Sequence, residues 1–402
     1  MMTESAAPPR LHHWDFSRAL YLALGIPFHA AVIYSLSHEW SVSSPDKSQA
    51  LTWLADFIHS FRMPGFFLLA GMFSIMLLDR QGAGPWLKSR LLRLGLPLLA
   101  ATAFIVPFQI VVQSMALNLT GALPVAEMKT HIIGQLSHFG EPWISHLWFL
   151  WVLIAYCVAL AGLHWLAGGP GLRSLSERFV AWVGQNRILS LAAFAAICQL
   201  AAQAQSLIVA ASPYYGNAVI NYNLYVVYFG FGVLVYYSNK LHDLLLETGP
   251  VAFIAGIGLA LVSGFSPVDL FTHTVTVMAG IVGAALIVGY ISNLARQHFG
   301  TANPKIRKLV DASFTIYLFH HPVIYVLATL FLTVNLPPVI EFAMIAPSAG
   351  LISYAIHQML SRSPVFKLLF NGVSLKAAGP QSANVLVQPS SMSIARPYPL
   401  RG

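Results

Sequence analysis

DFSRALYLALGIPFHAAVIYSLS, residues 15 to 37, is apolar and long enough to cross a hydrocarbon core of roughly 30 Å, yet it carries Arg18 and His29. Ionisable groups at that depth cost on the order of several kcal/mol unless they meet a polar space or each other. Read as one helix, eleven residues at about 100° each bring Arg18 and His29 within roughly 20° of one face and about 16 Å apart. Asp15 falls near the same stripe, three residues from Arg18. Pro27 withholds the hydrogen that the carbonyl of Ala23 would accept, which predicts a bend beside His29 and, with it, a polar space.

The rest of the chain extends this pattern. Hydrophobic residues make up 57% of the 402, charged residues 9%, and the mean hydropathy is +0.68. Such a composition excludes a soluble globular protein and defines an all-α polytopic membrane bundle. Apolar stretches near 16–37, 52–79, 90–117, 144–167, 188–211, 219–238, 248–266, 271–293, 311–334 and 338–361 predict about ten transmembrane helices. At the short connection from Ser266 to Leu270, one re-entrant element is the alternative to two crossings.

Placing the N-terminus in the cytoplasm puts eighteen of the twenty-two Lys and Arg residues on the inner side. Lys47 and Lys129 lie outside, and Arg18 and Arg62 fall within spans. The positive-inside rule therefore predicts both termini in the cytoplasm, as expected of a bacterial inner-membrane protein. The net charge of +8 reflects this sorting beside anionic lipid, not nucleic-acid binding. Residues 1–373 read as one integral-membrane domain. From residue 374 the chain turns polar and loses periodicity, predicting a disordered cytoplasmic tail. The acidic, proline-containing start lacks the features of a cleavable signal, so the first span is expected to be retained. Cys157 and Cys198 both lie in spans and read as buried, apolar-like thiols.

Three further stretches carry chemistry. DFIHSFRMPGFFLLAGMFS, residues 56–74, places His59 and Arg62 three residues apart on one face. Arg62 is too deep to snorkel, so it calls for an anion, a carboxylate or water, with Asp56 or Asp15 as the structural alternative. QLSHFGEPWISHLWFL, residues 135–150, brings His138, Glu141, Trp143, His146 and Trp148 to the outer surface. Aromatic faces there can stack on sugar rings, an interfacial aromatic belt being the alternative. DASFTIYLFHHPVIYVL, residues 311–327, carries Tyr317 and His320 on one face, followed by His321 and Pro322. No HExxH motif, cysteine cluster or acidic partner accompanies these histidines, so no metal site is expected.

Taken together, these residues resemble the integral-membrane acyltransferases called acyltransferase family three. Members share an arginine, ten intervening residues and a histidine in the first helix, here Arg18 and His29. The likeness continues through MPGFFLLAG at 63–71, HLWFLWVLIAY at 146–156 and SFTIYLFHHPV at 313–323. GIPFHAAVIYS, HEWSVSS and DFIHSFRMPGFF are similar to the branch that adds succinyl groups to osmoregulated periplasmic glucans. The resemblance implies a cytoplasmic acyl-CoA donor, succinyl-CoA in that branch, with no permanently bound cofactor. It also implies an acceptor hydroxyl on glucan outside and an essential first-helix histidine.

On that reading His29 takes the proton of a glucosyl hydroxyl. Arg18 meets donor phosphates or a carboxylate and is oriented by Asp15. Arg62 binds the free carboxylate of a succinyl group or stabilises the thioester oxyanion. Substrate contacts are assigned to His59, Glu141, His146, Trp148, Tyr317, His320 and His321. Expected partners are membrane lipid and the glucan-synthesis machinery. The competing functions are an O-acetyltransferase of another envelope polysaccharide and a proton-coupled transporter or flippase, against which stands the lack of an internal repeat.

Overall fold

Pro27 has the effect its chemistry dictates, but it divides the first span in two. The computed structural model describes residues 12–38, 40–138, 140–211, 216–264, 270–334 and 336–372, and within 198–224 chiefly the backbone. Helix α1 is His12–Ala23 and α2 is Gly25–Val32. Backbone bonds Leu24 N to Leu20 O, 2.9 Å, and Phe28 N to Leu24 O, 3.2 Å, flank the gap that Pro27 leaves at the Ala23 carbonyl. The span is interrupted at Leu24, so Arg18 and His29 lie on separate helices rather than on one continuous stripe.

Every regular element among the described residues is helical. Helices α3 (Gln49–Gln81), α4 (Ala83–Arg90), α5 (Leu96–Leu119), α6 (Val125–Ser137) and α7 (Glu141–Ile144) follow, with a π-helical turn, Leu91–Gly95, leading into α5. Next come α8 (Trp148–Gln185), α9 (Arg187–Ala211), α10 (Gly216–Tyr237), α11 (Asn239–Leu246) and α12 (Pro250–Ser263). The chain continues through α13 (Leu270–Phe299), α14 (Pro304–Phe331), α15 (Pro338–Leu360) and α16 (Pro364–Asn371). Gly168, at φ 68°, breaks α8 where the predicted fourth span ends.

Among the described residues six helices are long and apolar enough to span a membrane, or seven if the pair α11 and α12, bent by 89°, forms one span. This defines a multi-pass membrane protein. Of the other predicted spans, the first is interrupted between α1 and α2, the fifth and sixth form the helices α9 and α10, and the seventh is the fourteen-residue α12. The polar tail expected from residue 374, the connection 265–269 and the side chain of Cys198 lie outside the described residues.

Helix α3 forms the centre, with its apolar face buried from Phe66 through Ile75. Backbones meet where glycine permits: a Cβ on Gly71 would collide with the carbonyl of Phe229 on α10, and one on Gly232 with that of Leu68. Such small-residue contacts replace the hydrophobic drive that lipid does not supply. The outer face of α5 turns Phe104, Phe108, Val111 and Met115 outward at helical spacing, while Ala101, Ile105, Gln109, Val112 and Ala116 face the bundle. That inward stripe borders the site described next.

Candidate functional site

Four segments distant in sequence deliver five imidazoles and one guanidinium to one place. His29 comes from α2, His59 and Arg62 from α3, His146 from the 3₁₀ turn Ser145–Leu147, and His320 and His321 from α14. The His29 ring lies 5.4 Å from that of His320 and 4.8 Å, edge-on, from that of His321. The rings of His146 and His321 stack at 4.4 Å. His146, His320, His321 and Arg62 are buried, whereas His29 and His59 keep part of their surface accessible. Trp40, from the loop after α2, stacks on His29 at 5.6 Å.

Backbone chemistry fixes two of these rings. Pro322 has no N–H, so the Leu318 carbonyl four residues earlier is left for another donor. His146 Nε2 takes that place at 3.1 Å. A carbonyl oxygen only accepts, so the proton sits on Nε2, leaving Nδ1 as the lone pair, buried without a partner. His320 has the opposite tautomer: Nδ1 donates to Tyr317 O at 2.7 Å and to Ile316 O at 3.2 Å. Its Nε2 is the bare nitrogen. The Tyr317 hydroxyl donates to the His146 carbonyl at 2.6 Å, tying the 3₁₀ turn to α14.

Arg62 lies over the Phe28 ring at 4.7 Å, and its Nε has no partner. His59 stacks on Phe28 at 5.3 Å. The pairings offered for Arg62 by the sequence are taken elsewhere: Asp56 meets His38 at 2.7 Å and Asp15 meets Arg18 at 3.7 Å. Arg18 stands apart from the histidines, beside Phe73 and near Arg90 and Arg93.

Trp148 is partly buried, stacked on Tyr225 at 5.5 Å and near Phe67. His146 is buried deeper, in the interior. Trp143 remains half-buried and donates from its indole to Gln135 O. The side chain of Glu141 lies outside the described residues. Among the described residues no group of three or more His, Cys, Asp or Glu has metal-holding geometry.

Two residues of the site have no charge to mark them in the sequence. Gln109 meets His321 from α5. Gly25 opens α2 so closely against the cluster that an added Cβ would lie 2.8 Å from Arg62 Nη1 and 3.1 Å from His320 Nε2. Gly25→Ala is therefore expected to displace the guanidinium and lower activity at least tenfold, at a stability cost of roughly 1–3 kcal/mol. Parallel thermal-melting and turnover measurements on the purified variant check it.

The bundle thus gathers five imidazoles and Arg62 in one place, with Arg18 on α1 apart from them. The family profile described as an acyltransferase domain, that of acyltransferase family three, matches residues 11–358, and the chain belongs to this family of membrane acyltransferases. Among curated proteins it is similar to the Glucans biosynthesis protein C of Salmonella gallinarum, 29% identical over 392 residues, covering 92% of this chain and 96% of the relative. The protein of the same name from Salmonella paratyphi B is 29% identical over 390 residues, with the same shares covered. No solved structure matches the chain at a significant level.

Proposed function

We propose that this protein is an O-acyltransferase of the bacterial inner membrane that moves a succinyl group from cytoplasmic succinyl-CoA to a hydroxyl of periplasmic glucan. The observation that carries the reading is the accessible His29 imidazole against the buried set His320, His321, His146 and Arg62. The names of the relatives support glucan as acceptor, and the distribution of Lys and Arg supports ten crossings with both termini inside.

In the reaction the glucosyl hydroxyl oxygen attacks the thioester carbonyl as its proton passes to His29. The tetrahedral intermediate then expels the thiolate, which takes up that proton, so the products are the sugar ester and free CoA. Arg18, held by Asp15 and close to Arg90 and Arg93, receives the donor phosphates. Arg62 pairs with the distal carboxylate of the succinyl group. His59, Glu141, His146, Trp148 and Tyr317 are assigned to the acceptor side. Membrane lipid surrounds the bundle, and the glucan-synthesis machinery supplies the acceptor.

Mass spectrometry of periplasmic glucans from cells with and without the gene tests this reading. Succinyl increments that disappear with the gene are the expected result. Acetyl increments would replace succinyl by acetyl, and unchanged glucans would overturn the assignment. The topology has its own test. Cysteines introduced at Lys47 or Lys129 should label from outside and those at Lys88 or Arg307 should not; the reverse pattern inverts donor and acceptor sides.

A further inference from the structure

Gln109 is a polar residue on an apolar stripe. Ala101, Ile105, Val112 and Ala116 share its buried face of α5, where a primary amide is costly unless it is bonded. Its Nε2 lies 2.5 Å from Nδ1 of His321, while Oε1 has no partner. The reverse amide orientation would strand an NH₂ group in place of one carbonyl oxygen, the less tolerable of the two. With the amide donating, His321 Nδ1 is the acceptor, and a neutral imidazole then carries its proton on Nε2. His146 and His320, held by backbone carbonyls, each present a bare nitrogen. His321 is the ring of this buried trio that presents an N–H.

We propose that Gln109 is a positioning residue that fixes His321 as a hydrogen-bond donor to the acyl carbonyl oxygen beside His29. This rests on the acyl-transfer reading above. As the hydroxyl adds to the thioester, negative charge grows on that oxygen, and a preorganised N–H in a water-poor site stabilises it without reorganisation. The His29 and His321 rings lie 4.8 Å apart, edge-on, so the base and the donor are direct neighbours in the site. Gln109 acts through His321, touching neither substrate.

The tautomer is read directly by solid-state nitrogen NMR on the protein in lipid nanodiscs with ¹⁵N-labelled histidine, the His321 signals being those lost in His321→Gln. An unprotonated Nδ1 and a protonated Nε2 are expected in the native protein. Gln109→Leu should admit both tautomers, and Gln109→Glu, whose carboxylate accepts, should move the proton to Nδ1. A native His321 protonated on Nδ1 overturns the proposal whatever the enzyme transfers.

Turnover with succinyl-CoA and purified glucan gives the second measurement. Gln109→Leu and Gln109→Glu should lower kcat about tenfold or more, short of the roughly 10²- to 10³-fold of an oxyanion donor lost outright, with KM for glucan unchanged. His321→Gln keeps an amide N–H where Nε2 stood, so adding Gln109→Leu to it should cost less than about twofold, the expectation for residues acting as one unit. Equal losses in both backgrounds would make Gln109 a packing residue and overturn the proposal. A native protein that modifies no glucan would instead remove the parent reading, leaving the tautomer measurement to decide on Gln109.

Discussion

His29→Ala is expected to abolish glucan acylation while the protein still inserts and melts near the native temperature. A positioned general base contributes roughly 10²- to 10⁴-fold, and of the other imidazoles in the cluster His146, His320 and His321 are buried, while His59, also partly accessible, is stacked on Phe28. His29 keeps accessible surface, whereas His320, with its bare Nε2, is completely buried. Removing the His29 ring empties the space under Trp40 without exposing a buried charge, so the loss should fall on turnover and not on folding. His29→Gln, which fills much of the space but accepts no proton near neutral pH, should be as inactive as alanine. Acylated glucan at the native level from either variant would remove His29 from the chemistry. A weak effect of His29→Ala beside a dead His320→Ala would move the base to His320.

Much of this was legible in the sequence. The membrane class follows from composition alone, and the long helices of the described residues fall on the predicted apolar stretches, whereas α4, α6, α11 and α16 lie between or beyond them. Pro27 announced a disturbance of the first span, which the structure shows as the break at Leu24, with α2 packed against α3 and α14. Depth identified Arg62 and His320 as residues that needed partners, but pattern could not name them. Asp56 lies six residues from Arg62 and yet pairs with His38, since the loop after α2 folds back over α3. Tryptophan near a span terminus is common at interfaces, and the packing of Trp148 on Tyr225 left no separate signal in the sequence. Gly25 and Gln109 left weaker signals: a glycine ahead of Pro27, and a lone amide in the apolar run IVPFQIVV. Pro322 left a stronger one, for a proline in a helix frees a carbonyl four residues back, and a histidine donor is a fitting occupant.

Arg62→Gln is expected to lower succinyl transfer far more than any residual acetyl transfer. Among the described residues no ion pair reaches this guanidinium. It lies on the face of Phe28, and the carboxylates that the sequence offered it, Asp56 and Asp15, pair with His38 and Arg18. A buried cation lacking an anion is costly, and the carboxylate of a succinyl thioester supplies what the protein does not. Glutamine retains a hydrogen-bond donor but leaves that carboxylate uncompensated, a loss of roughly 2 to 5 kcal/mol by analogy with truncated charge pairs. Arg62→Lys should recover part of it, because a point charge replaces the fork that grips both oxygens. Acetyl has no distal carboxylate, so its transfer should change much less. Competition assays with succinyl-CoA and acetyl-CoA on the same membranes measure the ratio. Equal losses for both donors would assign Arg62 to the thioester oxyanion, beside the N–H of His321. Normal transfer with both would leave Phe28 and Gly25 packed around a cation with no part in the reaction.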